Sequence, residues 1–245
     1  MTDDADAPTG EWSARTRALH TGWTGDPATG ARAPPIYQTT SYSFPDADTA
    51  ADLYALEREG NVYSRISNPT TRILEERLAS LEGGVDAVAT ASGMAALDTT
   101  TSLLARPGDN VVASADMYGG TSSYLAHMAS RRGVELRTVE TTDDAAYEDA
   151  VDEDTAFVHV ETLANPSLVT PDFERIAEVA HDRAVPFVVD NTFGTPALCS
   201  PIEHGADVVW NSTTKCIHGA GTTVGAVLVD SGTFPWDHHD ADHPT

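Results

Sequence analysis

The chain has 245 residues, of which 40% are hydrophobic and 21% charged. This balance fits a folded globular protein, and no stretch approaches the ~18 consecutive apolar residues of a membrane-spanning helix. Thirty-eight acidic residues against 14 basic ones give a net charge of −24, which repels nucleic acid and anionic lipid and so argues against both as partners. Two cysteines, Cys199 and Cys216, without CxxC spacing, argue against a disulfide scaffold and a cysteine-built zinc site. The acidic excess points to a cytoplasmic protein of a high-salt interior, where concentrated salt screens self-repulsion. The polar, acidic start MTDDADAPTGEW is expected to be neither a signal peptide nor a transit peptide.

In chain order, residues 1–60 are rich in Ala, Asp, Thr, Gly and Pro, with Pro34 and Pro35 adjacent. They read as an N-terminal arm with one short helix near 47–58. Residues 61–72 are polar and turn-like. From Thr71 to Leu81 the apolar residues Ile73, Leu74, Leu78 and Leu81 recur at helical spacing, and Gly83 and Gly84 end the helix. Short, apolar, β-branched runs follow at 86–90, 110–114, 155–160, 186–190, 207–211 and 224–229. Helical segments at 92–105, 120–132, 143–150 and 172–183 lie between most of them. Apolar strands alternating with helices predict an α/β domain over 61–236, a mostly parallel sheet with helices on both faces. Residues 237–245 form a polar tail. Its histidines, His238, His239 and His243, lack a cysteine or carboxylate pattern and are not read as a metal site.

Ligands of such sheets sit beyond the carboxyl ends of the strands. The segments to weigh are therefore Ser92–Met94, Asp116–Thr121, Glu161–Asn165, Asp190–Thr192 and Asn211–Lys215. Of the 14 basic residues 13 are arginine, and Lys215 is the only lysine. Desolvated amines form Schiff bases with carbonyl cofactors, and Lys215 follows a strand and a Ser-Thr-Thr run. Asp190 ends a strongly apolar run, where its carboxylate can pair with a protonated ring nitrogen; a helix cap is its bland alternative. Ser212 and Thr214 could donate to a phosphate, or serve only as turn hydroxyls. Gly93 and Met94 open a helix whose N–H groups can bind an anion. Tyr118 could stack on a flat ring, and Arg65, beside Tyr63, suits phosphate. No GxxxxGK[ST] or GxGxxG loop is present, so a nucleotide-binding fold is the weaker choice.

The blocks YSRISNPTTRILEERLASLEGG, ATASGMAAL, DMYGGT, ETLANP, VVDNTFGTP and NSTTK together resemble the Cys/Met-metabolism family of pyridoxal-phosphate enzymes, in the family's order and across residues 15–236. Within the family, NVYSRISNPTT, PIEHGADVVWNSTTK and GAGTTVGAVLVDSGTF most resemble O-acetylhomoserine sulfhydrylases. The resemblance implies a fold-type-I large domain with pyridoxal 5'-phosphate as cofactor. It gives Lys215 the Schiff-base role, Asp190 the pairing with the pyridine nitrogen and Tyr118 the stacking role. Gly93, Met94, Ser212 and Thr214 resemble phosphate ligands, and Asn165 resembles the residue near the ring oxygen. Tyr63 and Arg65 resemble the pair that reaches a neighbouring subunit's phosphate, which implies a homodimer or homotetramer with shared active sites.

The implied reaction is γ-replacement on O-acetylhomoserine by sulfide or a thiol, giving homocysteine or methionine. A cystathionine or methionine γ-lyase, a cystathionine γ-synthase and a non-catalytic remnant stand as alternatives. Family members continue into a smaller C-terminal domain that supplies an arginine for the substrate carboxylate. No such domain is expected within these 245 residues, whose last arginine is Arg183.

Overall fold

The computed structural model describes residues 12–236, so the tail 237–245 and its histidines lie outside the described residues. The described residues form two compact units, divided after Arg77.

The first unit carries the helices α1 (Ala14–His20) and α2 (Ala47–Tyr54). α2 starts where Asp46 accepts the Thr49 N–H at 2.7 Å, a side-chain cap on an otherwise unpaired donor. The sequence places the arm's end at residue 60, whereas the first unit extends to Arg77. Asn68 donates to the Tyr37 carbonyl at 2.9 Å and Thr70 to the Pro35 carbonyl at 2.9 Å, which draws the turn-like segment into the arm. The helix expected from Thr71 begins earlier and forms α3 (Pro69–Glu82), with the unit boundary inside it. Proline suits a helix start because its missing N–H has no helical partner there anyway.

The second unit is built on seven strands: β1 (Asp86–Thr90), β2 (Asn110–Ser114), β3 (Glu135–Val139), β4 (Thr155–Glu161), β5 (Phe187–Asp190), β6 (Val208–Asn211) and β7 (Ala226–Asp230). Their order is β1-β7-β6-β5-β4-β2-β3. Pairings from β3 through β6 are all parallel, and only β7 runs antiparallel, against both β1 and β6. The helices are α4 (Gly93–Leu104), α5 (Gly119–Tyr124), α6 (Ser130–Arg132), α7 (Asp144–Ala150), α8 (Phe173–His181) and α9 (Thr195–Leu198).

Both faces of the sheet are buried, as the unbroken apolar strands require. Val112, Val158, Val160 and Val189 pack with α7 and α8 residues such as Tyr147 and Ile176. Their strand neighbours Val111, Ala113, Phe157 and Val188 pack with Ala96 and Leu97 of α4. Successive residues thus serve opposite cores, which is the two-residue period of a pleated strand.

Besides α1, α9 and the earlier start of α3, two elements around the sheet differ from the sequence reading. β3 was not expected as a strand; it pairs with β2 alone and its burial is broken, so it lacks the continuous apolar run of the central strands. The single helix expected at 120–132 is instead α5, one π-helical turn over Leu125–Ala129, and α6.

Candidate active site

Because β4, β5 and β6 are parallel, their carboxyl ends open at one edge of the sheet. β7 is antiparallel, so its entry lies at that same edge. A cavity of about 300 Å³ lies there. Eight of the residues singled out from sequence line it: Gly93, Met94, Tyr118, Asn165, Asp190, Ser212, Thr214 and Lys215. Tyr63 and Arg65 belong to the first unit, where the Arg65 guanidinium lies 5.2 Å from the centre of the Tyr63 ring.

One wall is the start of α4. The Ser92 hydroxyl accepts the Ala95 N–H at 3.1 Å and the Ser92 carbonyl accepts that of Ala96 at 3.0 Å. The N–H groups of Gly93 and Met94 are left without helical partners, and they carry the positive end of the helix dipole. A β-carbon at Gly93 would sit 3.1 Å from Ser212 Cβ and 3.2 Å from the Trp210 ring, so only glycine fits this approach comfortably. Ser212 donates its backbone N–H to the Thr192 hydroxyl at 2.9 Å. Thr214 lines the cavity, yet its hydroxyl exchanges bonds with Gly225, donating to the carbonyl and accepting from the N–H, both at 3.1 Å.

The floor is acidic. Asp190 is buried, with one carboxyl oxygen accepting the Thr192 N–H at 2.9 Å. Burial, and then the nearby charge of Glu161, push its carboxyl up to about 8. Glu161 is also buried and is raised by desolvation. Its two oxygens accept the backbone N–H groups of Tyr118 at 2.5 Å and Asn165 at 3.2 Å. It therefore ties the loops after β2 and β4 to each other. Sequence reasoning marked 161–165 as a segment to weigh but gave Glu161 no role. The signal was present, since Glu161 ends an apolar strand just as Asp190 does.

Lys215 corrects one expectation. Its side chain is exposed, not desolvated, and has no hydrogen-bond or ion-pair partner among the described residues. The cause is local: its N–H bonds the Ser212 carbonyl at 3.1 Å and its own carbonyl accepts the Gly219 N–H at 2.8 Å, a turn beyond β6 that lifts the amine to the cavity mouth. Phe193, Leu163 and Val224 add apolar lining that the sequence reading did not assign.

Comparison with known proteins bears on this arrangement. The family model described as Cys/Met metabolism PLP-dependent enzyme matches residues 15–243. The chain belongs to this family. Among its curated relatives, "Sulfhydrylase FUB7" of Fusarium oxysporum f. sp. lycopersici is 47% identical over 230 residues, 94% of this chain and 53% of that protein. The homocysteine synthase of Schizosaccharomyces pombe is 46% identical over 94% of this chain and 54% of its own length. A crystal structure from Campylobacter jejuni, of a protein assigned as O-acetylhomoserine (thiol)-lyase, superposes with a TM-score of 0.88 at 37% identity, covering 91% of this chain and 55% of that one. That structure carries N'-pyridoxyl-lysine-5'-monophosphate. The family's fold is the fold found here, and the chain spans about half the length of the curated relatives it matches. Among the described residues no helix is long and apolar enough to cross a membrane.

The residues present fit the family's cofactor, pyridoxal phosphate. The helix start and the Ser212 side chain approach closely enough that a β-carbon at position 93 would crowd Ser212 and Trp210, an arrangement that suits an anion. The buried Asp190 carboxyl, which meets no cation among the described residues, suits a positive ring nitrogen. A single amine stands at the mouth.

Proposed function

We propose that this chain forms the cofactor-binding part of a transferase that replaces the γ-substituent of O-acetylhomoserine with sulfide or a thiol, giving homocysteine or methionine. The observation that carries the reading is the convergence of Lys215, Asp190, Tyr118 and the α4 start on one cavity. The names of the relatives, a homocysteine synthase and an O-acetylhomoserine (thiol)-lyase, support the choice of reaction within the family.

Pyridoxal phosphate, when bound, supplies an electron sink next to the α-carbon of an amino acid. Gly93, Met94 and Ser212 would hold its phosphate, and Lys215 Nζ would hold its aldehyde. Asp190 would face its ring nitrogen, where a buried carboxyl would favour the protonated, cationic ring. Tyr118, fixed through its backbone by Glu161, would keep the ring plane. Thr214, with its hydroxyl turned to Gly225, would act by shaping the turn that presents Lys215. Lys215 Nζ, the chain's one lysine amine, would stand near the reacting carbons, suited to take a proton from one carbon and return it to the next. Tyr63 and Arg65 would complete the phosphate site from a neighbouring copy of the chain, which makes a dimer the smallest complete unit.

The test is borohydride reduction of the chain with pyridoxal phosphate, followed by peptide mass, alongside an assay for homocysteine from O-acetylhomoserine and sulfide. The Lys215 peptide is expected to gain the mass of the reduced cofactor, and Lys215→Ala to abolish both labelling and turnover. An unlabelled Lys215 peptide at saturating cofactor would overturn the reading. Labelling with sulfide-independent breakdown of the substrate would favour a γ-lyase.

A further inference from the structure

Behind the cavity lies a third buried acid, one that the proposed reaction does not use. Glu82, the last residue of α3, is fully buried and meets no cation among the described residues. Instead it meets amides. Asn191 Nδ2 donates to both of its carboxyl oxygens, at 3.0 and 3.2 Å, and Asn211 Nδ2 donates to one of them at 2.6 Å.

Local sequence explains how it gets there. Gly83 takes a left-handed φ of 87°, and the N–H groups of Gly83 and Gly84 both return to the Ala79 carbonyl at 3.0 Å, closing the helix end. A β-carbon on Gly84 would strike the Asp230 carbonyl oxygen at 2.5 Å, so the chain leaves α3 pressed against β7. The helix's last side chain is thereby turned into the sheet rather than toward water.

The two amides reach the site through the chain. Asn191 immediately follows Asp190, and Asn211 immediately precedes Ser212. Asn191 is saturated: its second donor contact goes to the Cys199 carbonyl at 2.9 Å, and its oxygen accepts the Thr162 hydroxyl at 2.8 Å, one residue beyond Glu161. Its backbone N–H donates to the Trp210 carbonyl at 2.8 Å. Glu82 is thus the common acceptor beneath the ends of β5 and β6, the strands that lead to Asp190 and Ser212, while the end of β4 joins through Thr162 and Asn191.

We infer that Glu82 is a positioning residue for the cofactor site: its carboxyl pins Asn191 and Asn211, and through them fixes where Asp190 and Ser212 point. This inference rests on the pyridoxal-phosphate reading of the cavity. A buried amide donor without an acceptor does not stay in place, because its desolvation is uncompensated. Removing Glu82 therefore takes from Asn211 Nδ2 its acceptor and leaves Asn191 Nδ2 with the Cys199 carbonyl alone, loosening the ends of two strands together.

The experiment titrates the full chain with pyridoxal 5'-phosphate, reading both affinity and the absorbance of the bound cofactor, for wild type, Glu82→Ala and Glu82→Gln. Thermal melts without cofactor select folded protein. Glutamine keeps one oxygen able to accept from both asparagines, so Glu82→Gln is expected to bind within about threefold of wild type. Glu82→Ala is expected to lose about tenfold or more, with a shifted absorbance maximum. Folded Glu82→Ala with wild-type affinity and spectrum would overturn the inference, as would a glutamine variant no better than alanine. If Glu82→Ala does not fold, Asn211→Ala removes the 2.6 Å donor alone, and unchanged cofactor affinity and spectrum there overturn it equally. Failure of wild type itself to bind would instead strike the cofactor reading, and this inference with it.

Discussion

Asp190 illustrates how much a single buried group sets at the residue scale. Its carboxyl is raised from 3.8 to about 8, so without a cationic partner the folded chain keeps a proton that the unfolded chain releases. The stability this confers is complete below the unfolded value and is lost as pH rises toward 8. Glu82, raised by burial from 4.5 to about 7, acts in the same direction. So does His181, whose imidazolium is favoured by the Asp207 carboxylate at 2.8 Å and whose contribution disappears as the ring loses its proton. All three point one way; the buried His159, held down from 6.5 to about 4 by burial, opposes them only below about 6.5 and is outweighed by their sum. The cofactor-free protein is expected to melt at progressively lower temperature as pH is raised from about 5 to about 8.5. In Asp190→Asn the upper part of that slope should flatten, since the group that titrates there is gone. A cofactor-dependent γ-replacement assay should show the same variant slowed by about 10²–10³-fold, through loss of the charge opposite the ring nitrogen. A melting temperature that climbs across this range would mean that the burial of these acids does not govern the pH response.

At the scale of elements, the start of α4 joins fold to site. Ser92 caps the helix by accepting the Ala95 N–H at 3.1 Å, and Gly93 and Met94, whose N–H groups have no helical partner, line the cavity. Ser92→Ala is expected to cost about 1 kcal/mol in denaturant unfolding, the ordinary value of an N-cap. It should also weaken cofactor affinity, which Ser92→Asp, a replacement cap carrying a like charge to the phosphate, would not restore. Denaturant melts together with cofactor titrations separate the two effects.

Elements also show what sequence could and could not reveal. The central strands were legible because each is buried on both faces and reads as an unbroken apolar run. β3 escaped because an edge strand with partly exposed side chains carries no such run, and α1 escaped because it buries none of its residues. Site residues at strand ends were legible from position alone, Asp190 and Ser212 among them. Glu82 was not, since its partners lie 109 and 129 residues away and helical or strand periodicity sees only near neighbours. Glu161 stood in view at the end of β4, but its work, holding two backbone N–H groups from separate loops, depends on how β2 and β4 register.

For the whole molecule the governing quantity is charge. Even if every one of the 14 basic residues paired with an acid, 38 − 14 leaves 24 acidic residues unbalanced. Among the described residues the arginine pairs are largely solvent-accessible, such as Arg137 with Asp152 at 2.5 Å and Arg132 with Asp98 at 2.6 Å. Each contributes at most about 1 kcal/mol. Added salt weakens these attractions and the repulsion among unpaired acids alike, so the sign of the response shows which dominates. With so few cations the repulsion should win. Raising potassium chloride from about 0.01 M to about 1 M shrinks the screening length from about 30 Å to about 3 Å, and the melting temperature is expected to rise steadily over that range. Neutralising the exposed acids Asp149 and Glu153 as Asp149→Asn and Glu153→Gln should raise the low-salt melting temperature and leave the high-salt value nearly unchanged, because repulsion already screened cannot be relieved again. A chain that melted lower as salt increased would owe its stability to the arginine pairs, and the double substitution would then change little at either end.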